Sequence, residues 1–261
     1  MKKIYLDYAA STPVDPRVKK AMSPYFGERF GNPGSLHSFG QEALAAVDRS
    51  RETIARAIGA DFRELIFTGS ATEANNLALR GALAAMQKMP ARLAFGNSKA
   101  GRRIHANAAN NFSQHLHPFV ASDRAPRIIV SAIEHESILE TARALGREGV
   151  DVVYVPVDGS GVVDVGKLKE ALNERTAVVS VMYVNNELGS IQPIAEIARI
   201  IQEFRTQNLE LNARNNRNPF ILNAKFYPLF HVDAVQAFQF FDCAVDALGV
   251  DLLTLSAHKI Y

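Results

Sequence analysis

The sequence predicts an α/β fold, a mostly parallel central sheet with helices on both faces. Three observations predict it. Short apolar runs alternate with amphipathic stretches, the order of βαβ units. The runs are rich in Val, Ile and Leu with little polar alternation, as in strands buried on both faces. The 261 residues, 48% hydrophobic and 21% charged, are enough for one large domain with a substantial core.

Taken in order, "RELIFTG" reads as a strand and "ATEANNLALRGALAAMQ" as the helix after it. "PRIIVSAIEH" is a strand, and "ESILETARALGREG" a helix stopped at Gly149. "VDVVYVPV" is a strand, "VGKLKEALNER" a helix, "TAVVSVMYV" a strand and "IAEIARIIQEF" a helix. "YPLFHVDA" and "VDLLTLSA" complete the sheet. Two stretches break the rhythm, about 86–125 and about 206–225, both rich in Asn. They read as loop insertions. Each follows a helix and precedes a strand, which puts it at the amino ends of the strands, away from the edge where such sheets bind ligands. His115 and His117, with His105 nearby, suggest metal ligation, but no carboxylate or cysteine stands at ligand spacing, so surface insertion is the better reading and no metal site is assigned.

Composition excludes several classes. A net charge of +2 argues against nucleic acid or an anionic membrane surface as partner. One cysteine, Cys243, rules out an intrachain disulfide framework and a cysteine-based metal site, and fits the reducing cytoplasm. "MKKIYLDYAASTPVDP" lacks the apolar stretch of a signal peptide, and no apolar run approaches a membrane span.

Ligands of open α/β sheets bind beyond the carboxyl ends of the strands, so the residues there matter most. "ELIF" leads into Thr68-Gly69-Ser70-Ala71-Thr72-Glu73 at a helix start. Free N–H groups, the helix dipole and two hydroxyls suit a phosphate there, while an N-cap with Glu73 in the first turn is an equal alternative. The turn is neither GxGxxG nor a P-loop. The next strand ends deliver Glu134-His135, Asn185-Asn186-Glu187, Asp233 with Gln236 one turn on, and Ser256-Ala257-His258-Lys259. His135 alone reads as structural, and Lys259 alone as a solvated terminal lysine. Asp233, after a buried strand, needs a partner. Together, a phosphate cradle, an aromatic platform, a carboxylate for a pyridinium nitrogen and a lysine for an aldehyde are what pyridoxal 5′-phosphate requires.

The stretches "IYLDYAASTPVDPRV", "FGNPGSLHSFGQEA", "LIFTGSATEANNLAL", "EHESIL", "VNNELGSIQPI", "HVDAVQA" and "LSAHKIY" resemble, in that order, the cysteine desulfurases of the class V aminotransferase family. These are pyridoxal phosphate enzymes of fold type I that supply sulfur for iron–sulfur clusters. The resemblance implies an N-terminal arm at 1–15 and a cofactor-binding large domain at 16–261. It implies that Lys259 holds the cofactor as a Schiff base, His135 stacks on its ring and Asp233 pairs with the ring nitrogen. Gln236 and Asn186 would reach the phenolic oxygen or its neighbourhood. Ala71 and Thr72 would bind the phosphate with Ser256 and His258. The chain departs from the family's Ser-Gly-Ala-Thr order with Gly69-Ser70-Ala71-Thr72, which keeps Ala71 and Thr72 in place.

The implied substrate is L-cysteine, converted to alanine as its sulfur passes to an enzyme cysteine. The implied partners are a second copy in a homodimer and a sulfur-acceptor or scaffold protein. In the family the catalytic cysteine and a small C-terminal domain follow the lysine, so the chain is expected to be truncated at Tyr261 and inactive in desulfuration alone. Alternatives are another class V activity, such as selenocysteine lyase or aminotransferase, and a non-catalytic remnant. Cys243 is expected to be a buried structural residue on the far side of the sheet.

Overall fold

The computed structural model describes residues 3–88, 125–215 and 227–261. His115, His117 and most of the 86–125 stretch lie outside the described residues. Five parallel strands form one sheet in the order β2-β1-β3-β4-β5: β1 (Arg127–Ser131), β2 (Asp151–Val155), β3 (Thr176–Ser180), β4 (Leu229–Asp233) and β5 (Leu252–Thr254). The long helices are α2 (Ser38–Ala57), α3 (Ala71–Lys88), α4 (Glu136–Arg147) and α6 (Ile194–Asn215), with shorter α1 (Pro16–Met22), α5 (Val165–Ala171) and α7 (Val245–Leu248).

Neighbouring strand residues point to opposite faces, and each face has its own core. Ile128, Val130, Val178 and Leu229 pack against Leu79 and Leu83 of α3 and Ile138 and Leu145 of α4. Ile129, Val179, Phe230 and Val232 pack against Leu168 of α5 and Ile194, Ile197 and Ile201 of α6. Each such side chain, taken out of water, contributes roughly 1.5–3 kcal/mol, so the sheet with its two helix layers holds most of the stability. Burial of both faces explains the unbroken apolar runs in the sequence.

Local signals fix the helix ends. α4 buries Ser137, Ile138, Thr141, Ala142 and Leu145, a stripe at helical spacing, and the chain leaves it through Gly149 at φ 94°. α5 starts at Asp164, whose carboxylate accepts from the Lys167 N–H. α7 ends at Gly249, whose φ of 68° is left-handed and favours glycine.

Two expectations fail. "RELIFTG" is not a strand: Phe62–Glu64 is a single 3-10 turn, and residues 65–68 lie outside the sheet. A strand needs a hydrogen-bonded neighbour, and this run finds none among the described residues; Ile66 and Phe67 stay 44% and 49% exposed. Arg51 stacks on Phe67 and donates to the Leu65 carbonyl instead. The second failure concerns 206–225. α6 runs on to Asn215, so the first part of that stretch is helix and not loop. No Gly or Pro interrupts Thr206–Asn215, and the Asn residues lower helix propensity without breaking it.

The chain passes from β1 outward to β2, then returns past β1 to β3, β4 and β5. The order therefore reverses between β1 and β3, and sheets of this kind bind ligands at such a reversal, beyond the strands' carboxyl ends. His135 follows β1 and Asn186 follows β3, on its two sides.

Candidate functional site

The start of α3 settles the alternative left open at Gly69–Glu73 only in part. Ser70 Oγ accepts from the Glu73 N–H at 3.1 Å, and the Glu73 carboxylate accepts from the Gly69 N–H at 2.7 Å. The helix is thus capped by its own side chains. Ala71 and Thr72 stand in the first turn, where backbone N–H groups have no intrahelical partner.

At the end of β4, Asp233 is 5% exposed. Its Oδ1 accepts from the Val235 N–H at 3.0 Å and its Oδ2 from Asn75 Nδ2 at 2.8 Å. Burial pushes this carboxyl above its ordinary range, against the pull of the Asn75 amide, the Val235 N–H and the electrostatic influence of His135 and Lys259. The carboxylate is buried with neutral donors on both oxygens, and a cation placed against it would draw it back to the ionised form.

Asn75 also donates to Ser137 Oγ at 2.9 Å, and Ser137 Oγ lies 2.8 Å from His135 Nδ1. His135 is the N-cap of α4, its Nδ1 accepting from the Ser137 N–H at 3.1 Å. Asn75, Ser137, His135 and Asp233 therefore form one connected group.

A second group gathers on the N-terminal arm. Lys259, in a 3-10 turn after β5, donates Nζ to the carbonyls of Ala9 and Ala10, the latter at 2.8 Å. Gln236 Nε2 donates to the same Ala9 carbonyl at 3.0 Å. Thr12 N donates to the His258 carbonyl at 3.0 Å, and Asp15 N to that of Tyr261. The arm is thus pinned across the ends of β4 and β5. Ser256 Oγ and His258 Nδ1 pair at 2.8 Å. Asn186 joins neither group. Its neighbour Asn185 is consumed by the turn, accepting from Glu187 N and Leu188 N and donating to the Ile133 carbonyl.

Beneath these residues runs a polar line the sequence did not reveal. Glu134, 5% exposed, accepts from Ser131 Oγ and Met182 N, each at 2.6 Å. Ser180 Oγ stands 3.4 Å from its Oε2 and 2.9 Å from His231 Nδ1, and His231 Nε2 stands 3.0 Å from Thr254 Oγ1. Burial pushes Glu134 up to about 7, with the charge of Asp233 adding to it and the three hydrogen bonds opposing. Burial lowers His231 to about 3. With Glu134 protonated and His231 neutral, Ser180 Oγ can donate to His231 Nδ1 and His231 Nε2 to Thr254 Oγ1.

Cys243 is 2% exposed in the core, and burial raises its thiol to about 11, with Asp242 adding. Among the described residues no His, Cys, Asp and Glu cluster suits a metal, and no helix is long and apolar enough to cross a membrane.

The family model for class V aminotransferases matches residues 4–92, 105–207 and 221–261. The chain belongs to the class V aminotransferase family. It is similar to the cysteine desulfurase IscS of Dictyoglomus turgidum, 37% identical over all of this chain and 52% of that protein. It is also 37% identical to the cysteine desulfurase IscS of Rickettsia rickettsii, over 99% of this chain and 49% of that protein. Among solved structures, SspA in complex with cysteine superposes with a TM-score of 0.73 at 31% identity, covering 98% of this chain and 58% of SspA. A NifS-like protein gives 0.72 at 31% identity, covering 99% of this chain and 56% of that one. The chain spans about half the length of the curated relatives it matches.

Proposed function

We propose that this chain carries the cofactor site of a pyridoxal 5′-phosphate-dependent cysteine desulfurase. One observation carries the reading: a buried carboxylate with no ion-pair partner among the described residues, Asp233, and an amine, Lys259, stand at the carboxyl ends of adjacent parallel strands. The donor set fits the group. Asp233 offers the ionic partner that a pyridinium requires, and the first turn of α3 offers N–H groups to a phosphate. That the IscS proteins are named cysteine desulfurases, and that SspA is seen with cysteine, supports L-cysteine as substrate.

When bound, the cofactor supplies an aldehyde for an amine and a ring that accepts electron density from the substrate's Cα. Asp233 keeps the proton on the ring nitrogen. His135 covers the ring. Ala71, Thr72, Ser256 and His258 hold the phosphate, and Asn186 and Gln236 reach the phenolic oxygen. Lys259 would hold the aldehyde through its amine and would move a proton at the substrate's Cα. To do so it leaves the Ala9 and Ala10 carbonyls, as Gln236 leaves Ala9. The sulfur goes to a thiol outside this chain, since Cys243 is buried and held in its neutral form. A homodimer in the cytoplasm, passing sulfur to an acceptor or scaffold protein, completes the reading.

The test is borohydride reduction of the chain in the presence of pyridoxal phosphate, followed by peptide mapping. The adduct is expected on Lys259. Labelling of a different lysine, or of none, overturns the proposal.

A further inference from the structure

Asn75 lies on α3 one turn beyond Ala71 and Thr72 and is fully buried. Its carboxamide has two hydrogens, and both are used. One goes to Asp233 Oδ2 at 2.8 Å, the other to Ser137 Oγ at 2.9 Å. Ser137 Oγ accepts there, which leaves its own hydrogen for His135 Nδ1 at 2.8 Å. That nitrogen already accepts from the Ser137 N–H, so the His135 ring carries its proton on Nε2. The direction of every bond in the chain follows from Asn75.

The carbonyl half of the same side chain tells the rest. Asn75 Oδ1 is buried and has no hydrogen-bond partner among the described residues. Rotating the amide would not help, because it would aim Oδ1 at Asp233 Oδ2, acceptor against acceptor. An orphaned buried acceptor is unfavourable, and an apolar side chain of similar size would avoid it. What an apolar side chain lacks is the pair of donors.

We propose that Asn75 is the positioning residue of this site, joining through its two amide hydrogens the carboxylate assigned to the ring nitrogen and the imidazole assigned to the ring face. The proposal rests on the cofactor reading for what those two groups do, but the hydrogen-bond coupling stands without it. Because Asn75 shares α3 with the phosphate turn, one helix sets the position of all three contacts. Asp233 is faced by Glu134, His135 and Lys259 as well, so its titration reports on Asn75 only by comparison between variants.

Asn75→Asp tests it, since it keeps the shape and replaces both donors by acceptors. In the cofactor-free protein, carbon NMR of the Asp233 carboxyl should show its midpoint rising by about one pH unit or more, because two adjoining carboxylates share a proton. Nitrogen NMR of His135 should show Nδ1 moving toward the value of a ring nitrogen with one hydrogen bond fewer, as the Ser137 hydroxyl turns to the new carboxylate. Ser137→Ala should move the His135 signal and leave Asp233 in place. Asn76→Asp, whose native amide only bonds the Thr72 carbonyl, should move neither. In the loaded protein, the pH at which the absorbance of bound pyridoxal phosphate changes should shift in Asn75→Asp alone. A folded Asn75→Asp protein with unchanged Asp233 and His135 signals overturns the proposal. If that variant does not fold, Ser137→Ala decides: no movement at His135, or equal movement at both sites, overturns it. Failure of the wild type to take up pyridoxal phosphate would overturn the functional reading, while the cofactor-free spectra would still decide the role of Asn75.

Discussion

Glu134→Gln isolates the cost of the buried carboxyl under the site. In the folded chain this group titrates near 7, against an ordinary 4.5, because burial disfavours its charged form. The folded state therefore holds a proton that the unfolded state has lost, and stability falls as pH rises from 4.5 through 7. At 1.36 kcal/mol per pH unit the full loss is about 3 kcal/mol, of which about 2 kcal/mol falls between pH 5.5 and pH 8. Glutamine preserves the bonds. Its oxygen accepts from Ser131 Oγ and Met182 N, and its amide takes the place of Oε2, 3.4 Å from Ser180 Oγ, whose own hydrogen is then free for His231 Nδ1. His231, lowered to about 3, disfavours folding only below its ordinary value of 6.5, and it does so equally in both proteins. Urea unfolding of wild type and variant at the two pH values, followed by circular dichroism because the chain has no tryptophan, measures the difference. The variant should gain about 2 kcal/mol on the wild type between pH 5.5 and pH 8. A difference that does not change with pH would refute the reasoning, and would mean that water or a structural shift lets Glu134 ionise at no cost.

Two further outcomes follow from the same site. Asp233→Asn should leave Lys259 labelled by pyridoxal phosphate and borohydride, yet slow proton exchange at the substrate's Cα about 10²-fold, the scale of losing one charge-assisted hydrogen bond of roughly 3 kcal/mol; exchange at the wild-type rate, followed by mass spectrometry in deuterated water, would contradict the role given to Asp233. Cys243→Ala should cost about 1 kcal/mol of stability by leaving a small cavity, and should not alter Lys259 labelling; the wild-type chain alone should form no persulfide from cysteine, and persulfide formation that disappears in Cys243→Ala would make that buried thiol the nucleophile.

Much of this molecule was legible in its sequence because the signals involved are local. Uninterrupted Val, Ile and Leu runs mark strands buried on both faces, and the polar residue after each run marks the ligand edge of a parallel sheet. His135, Asp233 and Lys259 stood out because each lies within a few residues of the end of such a run. The exception, residues 65–68, has the same composition as a strand but no strand beside it among the described residues, and pairing is not a local property. Likewise, the extension of α6 to Asn215 was hidden by an Asn-rich composition that suggests loops without forbidding helix.

Tertiary structure alone decided which polar residues bond to one another. Asn75 looks in the sequence like one of two asparagines in an amphipathic helix, although its spacing with Leu79 and Leu83 puts it on the inward stripe. Its two partners are 62 and 158 residues away, so only the folded chain brings them to one amide. The line from Glu134 through Ser180 and His231 to Thr254 crosses four strands: Ser180 and Thr254 end β3 and β5, Glu134 lies just past β1, and His231 sits midway along β4. The same holds for Lys259, which meets the Ala9 and Ala10 carbonyls only when the two ends of the chain are folded together. Apolar periodicity specifies which face of an element is buried, and a sequence carries that in neighbouring residues. Hydrogen-bond partnership depends on angles and distances between elements remote in the chain, and packing of the core sets those.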